Sequence, residues 1–182
     1  MKLKEQLDNF YTRYNIPKNG GEDDKFFIVP LSFFNLKLPN LAWRKRMLHV
    51  HDLEHILNNQ DTTWKGEIFI ASWEIATGFW RYFPVCIFPL WTMGLGLWKH
   101  PHAIYRGFMK GCRDKGIASL NMPKSEILEY DLFQLKDLVE GKAPKHSQTF
   151  YRFLLYLFSL VGELVFLSPL IVLMLLFFII FS

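Results

Sequence analysis

The chain has little cysteine, no recognisable nucleic-acid motif, and no charge at all over its last long apolar stretch. Cys86 and Cys112 are the only two cysteines. Their contexts fit neither a zinc nor a redox spacing. That excludes a disulfide scaffold, a thiolate zinc site and a dithiol active site, and both are expected to be reduced core residues. Basic residues exceed acidic ones only modestly, 21 against 17, for a net charge of +4. The basic residues fall in patches, which favours an anionic membrane surface or a phosphate-bearing ligand and excludes nucleic acid as the expected partner. The N-terminus mixes Lys2, Lys4, Glu5 and Asp8. It is expected to be neither a secretory signal nor a transit peptide.

What is abundant is apolar and aromatic: 51% of residues are hydrophobic and 17% aromatic. The length of 182 residues supports one domain plus an appendage. Periodicity predicts an all-α domain over 1–145 and a transmembrane helix over 150–182. Leu3, Leu7, Phe10 and Tyr11 mark a first amphipathic helix over 3–14. Phe26 to Phe34, with Pro30 and Pro39, reads as extended or irregular. Asn40 is positioned to cap a helix over 41–57. A helix over 63–80 carries the apolar stripe Ile68, Ala71, Ile75 and Phe79. Phe83 to Trp98 has no charge but four helix-breaking Pro and Gly, and reads as a buried or half-immersed helical segment. A basic helix over 103–116 and a helix over 125–140 complete the domain. Gly141, Lys142, Pro144 and Lys145 form a linker. Leu164 to Phe181 is eighteen residues without a charge, enough to cross a bilayer core of roughly 30 Å. Lys142, Lys145 and Arg152 precede it, so the domain is expected on the cytoplasmic side of a cell inner membrane.

The chemistry concentrates in His51-Asp52-Leu53-Glu54-His55 and Glu67. On a helix, His51 and His55 lie about 40° apart, one turn from each other. Two ring nitrogens at that spacing can reach one ion. Asp52 lies beside the pair, either as a third ligand or as an acceptor that orients an imidazole. Glu67 lies too far along to share the ion on one unbroken helix. Asn59 tolerates a left-handed turn and Asp61 or Thr62 can cap a new helix, so the chain can reverse and bring Glu67 back. Two imidazoles and two carboxylates suit Zn²⁺ and also accept Fe²⁺ or Mn²⁺. His49, about 200° round the helix from His51, is excluded.

Other groups carry weaker signals. Glu74, two turns beyond Glu67 on the same face, is a possible base or support for a ligand, against the plainer reading of a satisfied carboxylate at the core's rim. Arg106, Lys110 and Arg113 would share a helix face that could meet a ligand phosphate or lipid headgroups, or simply be solvated. His100-Pro101-His102 reads as an exposed turn rather than a metal pair.

The run His51-Asp52-x-x-His55, eleven residues, Glu67 resembles the metal signature of the coenzyme Q biosynthesis protein four family. Pro39, Arg44-Lys45-Arg46, Gly66-Glu67, Trp73-Glu74 and the basic run to Arg113 with Leu120-Asn121-Met122 are similar to its bacterial members. The resemblance covers roughly residues 30–140, and the C-terminal span is an addition to it. It implies an all-α, membrane-associated protein of ubiquinone biosynthesis, with His51, Asp52, His55 and Glu67 holding a divalent metal, usually zinc. It further implies a prenylated hydroxybenzoate as substrate and oxidative removal of its C1 carboxylate as the step. The alternative it implies is a prenyl-lipid-binding scaffold for other quinone biosynthesis enzymes or for a homo-oligomer. A metal hydrolase is disfavoured, because position 52 carries Asp where a zinc protease uses Glu as its base.

Overall fold

The computed structural model describes residues 1–30, 35–141 and 146–181. The fold is all-α. Along the chain run α1 (Leu3–Tyr14), β1 (Phe26–Pro30), β2 (Asn35–Pro39), α2 (Ala42–Asn58), α3 (Trp64–Thr77), α4 (Ile87–Lys99), α5 (Pro101–Gly111), α6 (Lys124–Ile127), α7 (Leu132–Val139) and α8 (Gln148–Phe181). They form two compact units. One comprises Met1–Gln60 and Ile117–Val139, the other Asp61–Gly116 and Glu140–Ser182.

In the first unit the α1 stripe is buried as its spacing requires: Leu3, Leu7, Phe10 and Tyr11 all point inward. The helix begins against a later segment, where Leu3 N–H donates to the Tyr130 carbonyl at 2.7 Å. The extended reading of Phe26–Phe34 resolves as an antiparallel hairpin pairing Phe26 with Pro39 and Pro30 with Asn35; residues 31–34 of that reading lie outside the described residues. Asn40 does not cap α2. Its side-chain amide donates to the Gly21 and Asp24 carbonyls at 2.9 and 3.0 Å, tying the loop before β1 to the start of α2, and Leu41 takes the cap position. The single helix predicted over 125–140 is two. Asp131 Oδ1 accepts from Gln134 N–H at 2.8 Å and Asp131 N–H donates back to Gln134 Oε1 at 2.9 Å. This reciprocal capping box starts α7 afresh.

In the second unit the α3 stripe Ile68, Ala71, Ile75 and Phe79 is buried with Trp73. Its N-cap is Thr63, whose hydroxyl accepts from Gly66 N–H, not Asp61 or Thr62. Asp61 supports the cap instead, accepting from the Thr63 hydroxyl at 2.6 Å. The Phe83–Trp98 segment forms α4 from Ile87 onward. His100 and Pro101, read as a turn, are the N-cap and first residue of α5. α5 ends at Gly111, short of the predicted 116. The linker residues Lys142, Pro144 and Lys145 lie outside the described residues.

α8 is 34 residues long, about 51 Å at the helical rise. Its segment Gln148–Phe177 is long and apolar enough to cross a membrane. α4 crosses it at a pair of glycines. A Cβ on Gly94 would run into the Gly162 carbonyl and lie 2.6 Å from the Phe166 Cβ, and one on Gly162 would lie 2.9 Å from the Leu90 carbonyl oxygen. The backbones approach so closely because neither residue has a side chain. Gly94→Leu is therefore expected to destabilise the protein by about 1–3 kcal/mol. Chemical denaturation in mild detergent checks this, and an unchanged midpoint would contradict the close crossing.

Candidate metal centre

α2 positions the two imidazoles. The helix is closed by Asn59 in the left-handed conformation at φ 50°, as its residue type suggested. His51 and His55 lie one turn apart, with Nε2 to Nε2 at 3.3 Å and the rings nearly perpendicular at 76°. That separation has a chemical reading. Two nitrogens each roughly 2.0–2.1 Å from one tetrahedral ion lie roughly 3.3–3.4 Å apart. The same separation also suits a hydrogen bond between the two rings, with donor and acceptor set by the tautomers. His55 is 1% exposed and packs on the Phe10 ring at a centroid distance of 5.7 Å.

The same helix buries two acids, Asp52 and Glu54. Asp52 Oδ2 accepts a hydrogen bond from the Tyr11 hydroxyl at 2.9 Å. Burial, and then the Asp52 charge, push the Tyr11 phenol well above its ordinary range. The turn after α1 closes over this pair at Gly20, which holds a left-handed φ of +67°. A Cβ there would stand 2.6 Å from Asp52 Oδ2 and 3.0 Å from the Tyr11 oxygen, so glycine is required twice over, by backbone and by space. Tyr11→Phe removes a hydrogen bond to a buried carboxylate and is expected to cost about 1.5–3 kcal/mol. Urea unfolding reads this directly; a stability equal to wild type would mean that the bond is not formed. His49, excluded on spacing, is held below its usual imidazole range by burial and then by Lys124.

In the second unit, α3 carries Glu67 in its first turn and Glu74 buried further along. Glu74 neighbours Trp73, whose indole N–H donates to Asp114 Oδ2 at 2.8 Å. Lys110 also meets Asp114, at 2.7 Å. Of the basic trio, then, Lys110 is committed to an internal ion pair, Arg106 is exposed on α5, and Arg113 lies beyond the helix end.

The described residues include groups of His and Glu side chains that could hold a metal ion, and His51, Glu54, His55, Glu67 and Glu74 are their members. Asp52 is not in these groups. Sequence reasoning missed Glu54 and Tyr11. Glu54 follows His51 by three residues, about 60° round the helix, a signal that was present. Nothing in the sequence pairs Tyr11 with Asp52, 41 positions apart. No protein-family model, curated protein or solved structure matches this chain.

Proposed function

We propose that the chain is a metal-dependent, membrane-attached protein of ubiquinone biosynthesis, acting on a prenylated hydroxybenzoate to remove its C1 carboxylate oxidatively. The observation that carries the reading is the 3.3 Å separation of the His51 and His55 Nε2 atoms, a spacing that two ligands of one tetrahedral ion would share. The burial of Asp52, Glu54, His55 and Glu74 supports it. Buried carboxylates are costly unless charge compensates them, and a divalent cation is such a charge.

In this reading His51 and His55 are ligands on α2, and the resemblance carries Glu67 to the same role. Asp52, the remaining acid of the signature, is oriented by Tyr11. A bound divalent ion supplies Lewis acidity, stabilising phenolate charge on the ring. Zn²⁺ performs no redox chemistry, so dioxygen is the oxidant acting on the electron-rich ring; Fe²⁺ or Mn²⁺ would share that role. One oxygen atom of dioxygen would take the place of the C1 carboxylate, which would leave as carbon dioxide, and the other would leave as water, with the hydroxybenzoate ring oxidised to the quinone. α8 holds the protein at the cell inner membrane, domain on the cytoplasmic side, where prenyl tails are dissolved.

Mass spectrometry of quinone precursors in a deletion strain tests this. Complementation with wild type is expected to restore the quinone. Complementation with Glu67→Ala is expected to leave a prenylated ring still carrying its carboxylate. Full restoration by Glu67→Ala would remove the metal from the reaction and favour the scaffold reading.

A further inference from the structure

We propose that α4 and the turn before it lie in the headgroup region of the bilayer, as an interfacial helix docked against the first turns of the α8 span. This rests on α8 entering the bilayer, as in the reading above, and adds a second membrane contact.

The second unit leaves several large apolar side chains open to its surroundings. Phe83 is 79% and Trp98 73% exposed, and Trp80 and Ile87 are exposed with them. These residues bracket α4, in a stretch with no charge from Phe83 to Trp98. Four large apolar side chains at one helix and its entry turn are a poor surface for water. Their occupant is indicated by continuity with α8. Along α8 from Phe153 to Phe177 the outward side chains are almost all apolar, and Glu163 is the only charged residue.

The level at which α4 meets α8 sets the depth. Trp91 packs on Phe166 with centroids 5.4 Å apart, and Trp80 on Phe158 at 6.3 Å. The uncharged run begins at Leu164. So α4 lies beside the point where the span enters the hydrocarbon, not at its middle. The Trp98 indole N–H donates to Glu163 Oε1 at 2.9 Å, which gives the one acid of the segment a polar partner at that level. Tryptophan is the residue that prefers this boundary, ring toward hydrocarbon and N–H toward polar groups. Cations stand where lipid phosphates would be. Arg81 lies 5.1 Å from the Trp80 ring centroid and Lys99 5.8 Å from that of Trp64, and Arg152 is exposed one residue before Phe153. An apolar face flanked by cations is the pattern of a helix lying in an anionic interface.

Site-specific fluorescence on the full chain in vesicles of phosphatidylcholine and phosphatidylglycerol tests this. In a Cys86→Ser, Cys112→Ser background, single cysteines replace Phe83, Trp98 or Met174 and carry an environment-sensitive dye. Phe83 and Met174 are exposed, so their replacement leaves the core intact. The label at Phe83 is expected to be several-fold less quenched by aqueous iodide than free dye, and strongly quenched by lipids spin-labelled near the headgroup. Trp98 should repeat this, and Met174 should respond to lipids labelled deep in the chain. If Phe83 stays open to iodide while Met174 is deep, α4 is outside the bilayer and the inference falls alone. If Met174 is not deep, the span and the inference fall together. If Phe83 is shielded from iodide yet untouched by spin-labelled lipid, the face is covered by protein, which also overturns the proposal.

Discussion

Replacing His55 with alanine is expected to weaken Zn²⁺ binding by more than about 100-fold. Loss of a hydrogen-bond partner behind a metal ligand already costs about 10–100-fold, and loss of the ligand itself exceeds that. His55 is one of two imidazoles whose Nε2 atoms are 3.3 Å apart, and a lone His51 leaves the ion without the paired nitrogen donors. Competition with a chromophoric chelator measures the affinity, on protein whose helicity is checked by circular dichroism because His55 is also a packed core residue against Phe10. His49→Ala is the control. It removes an imidazole from the same helix, about 200° away from His51, and should leave affinity unchanged. Equal affinity in the His55→Ala protein and wild type would contradict the assignment.

Trp73→Ala is expected to cost about 3–5 kcal/mol, the range for truncating a buried large aromatic. Trp73 is completely buried in α3, and one further arrangement depends on it. Its indole N–H holds Asp114 at 2.8 Å, the carboxylate that also receives Lys110. Truncation therefore opens a cavity and loosens the tie between α3 and the turn after α5. Denaturant unfolding in detergent measures the loss. Trp73→Phe, which keeps most of the volume but not the N–H, should fall between alanine and wild type. A Trp73→Ala protein within about 1 kcal/mol of wild type would contradict the packing, since truncations of this kind start near 3 kcal/mol.

Much of this fold was legible because its helices are amphipathic at one period. The α1 and α3 stripes follow from spacing alone, and the left-handed Asn59 was readable as a helix stop because Asn tolerates positive φ. The departures have two causes: one polar side chain chose partners distant in sequence over its own helix end, and one local cap was masked by the stripe around it. Asn40 looks like a cap but serves the Gly21 and Asp24 carbonyls. Asp131 and Gln134 formed a readable capping box that the apolar stripe of the same region concealed. At the candidate site the local part was legible, His51 and His55 on one face of α2. The Tyr11 hydroxyl on Asp52 and the Gly20 turn above it were not, because they join segments whose pairing no periodicity encodes.

X-ray absorption at the metal edge of the purified, zinc-loaded full chain tests the central claim most directly. The account predicts nitrogen scatterers at about 2.0–2.1 Å with the multiple-scattering pattern of two imidazoles, reduced to one in His55→Ala. A spectrum with oxygen neighbours alone, or one unchanged by the substitution, would show that the pair on α2 does not bind metal.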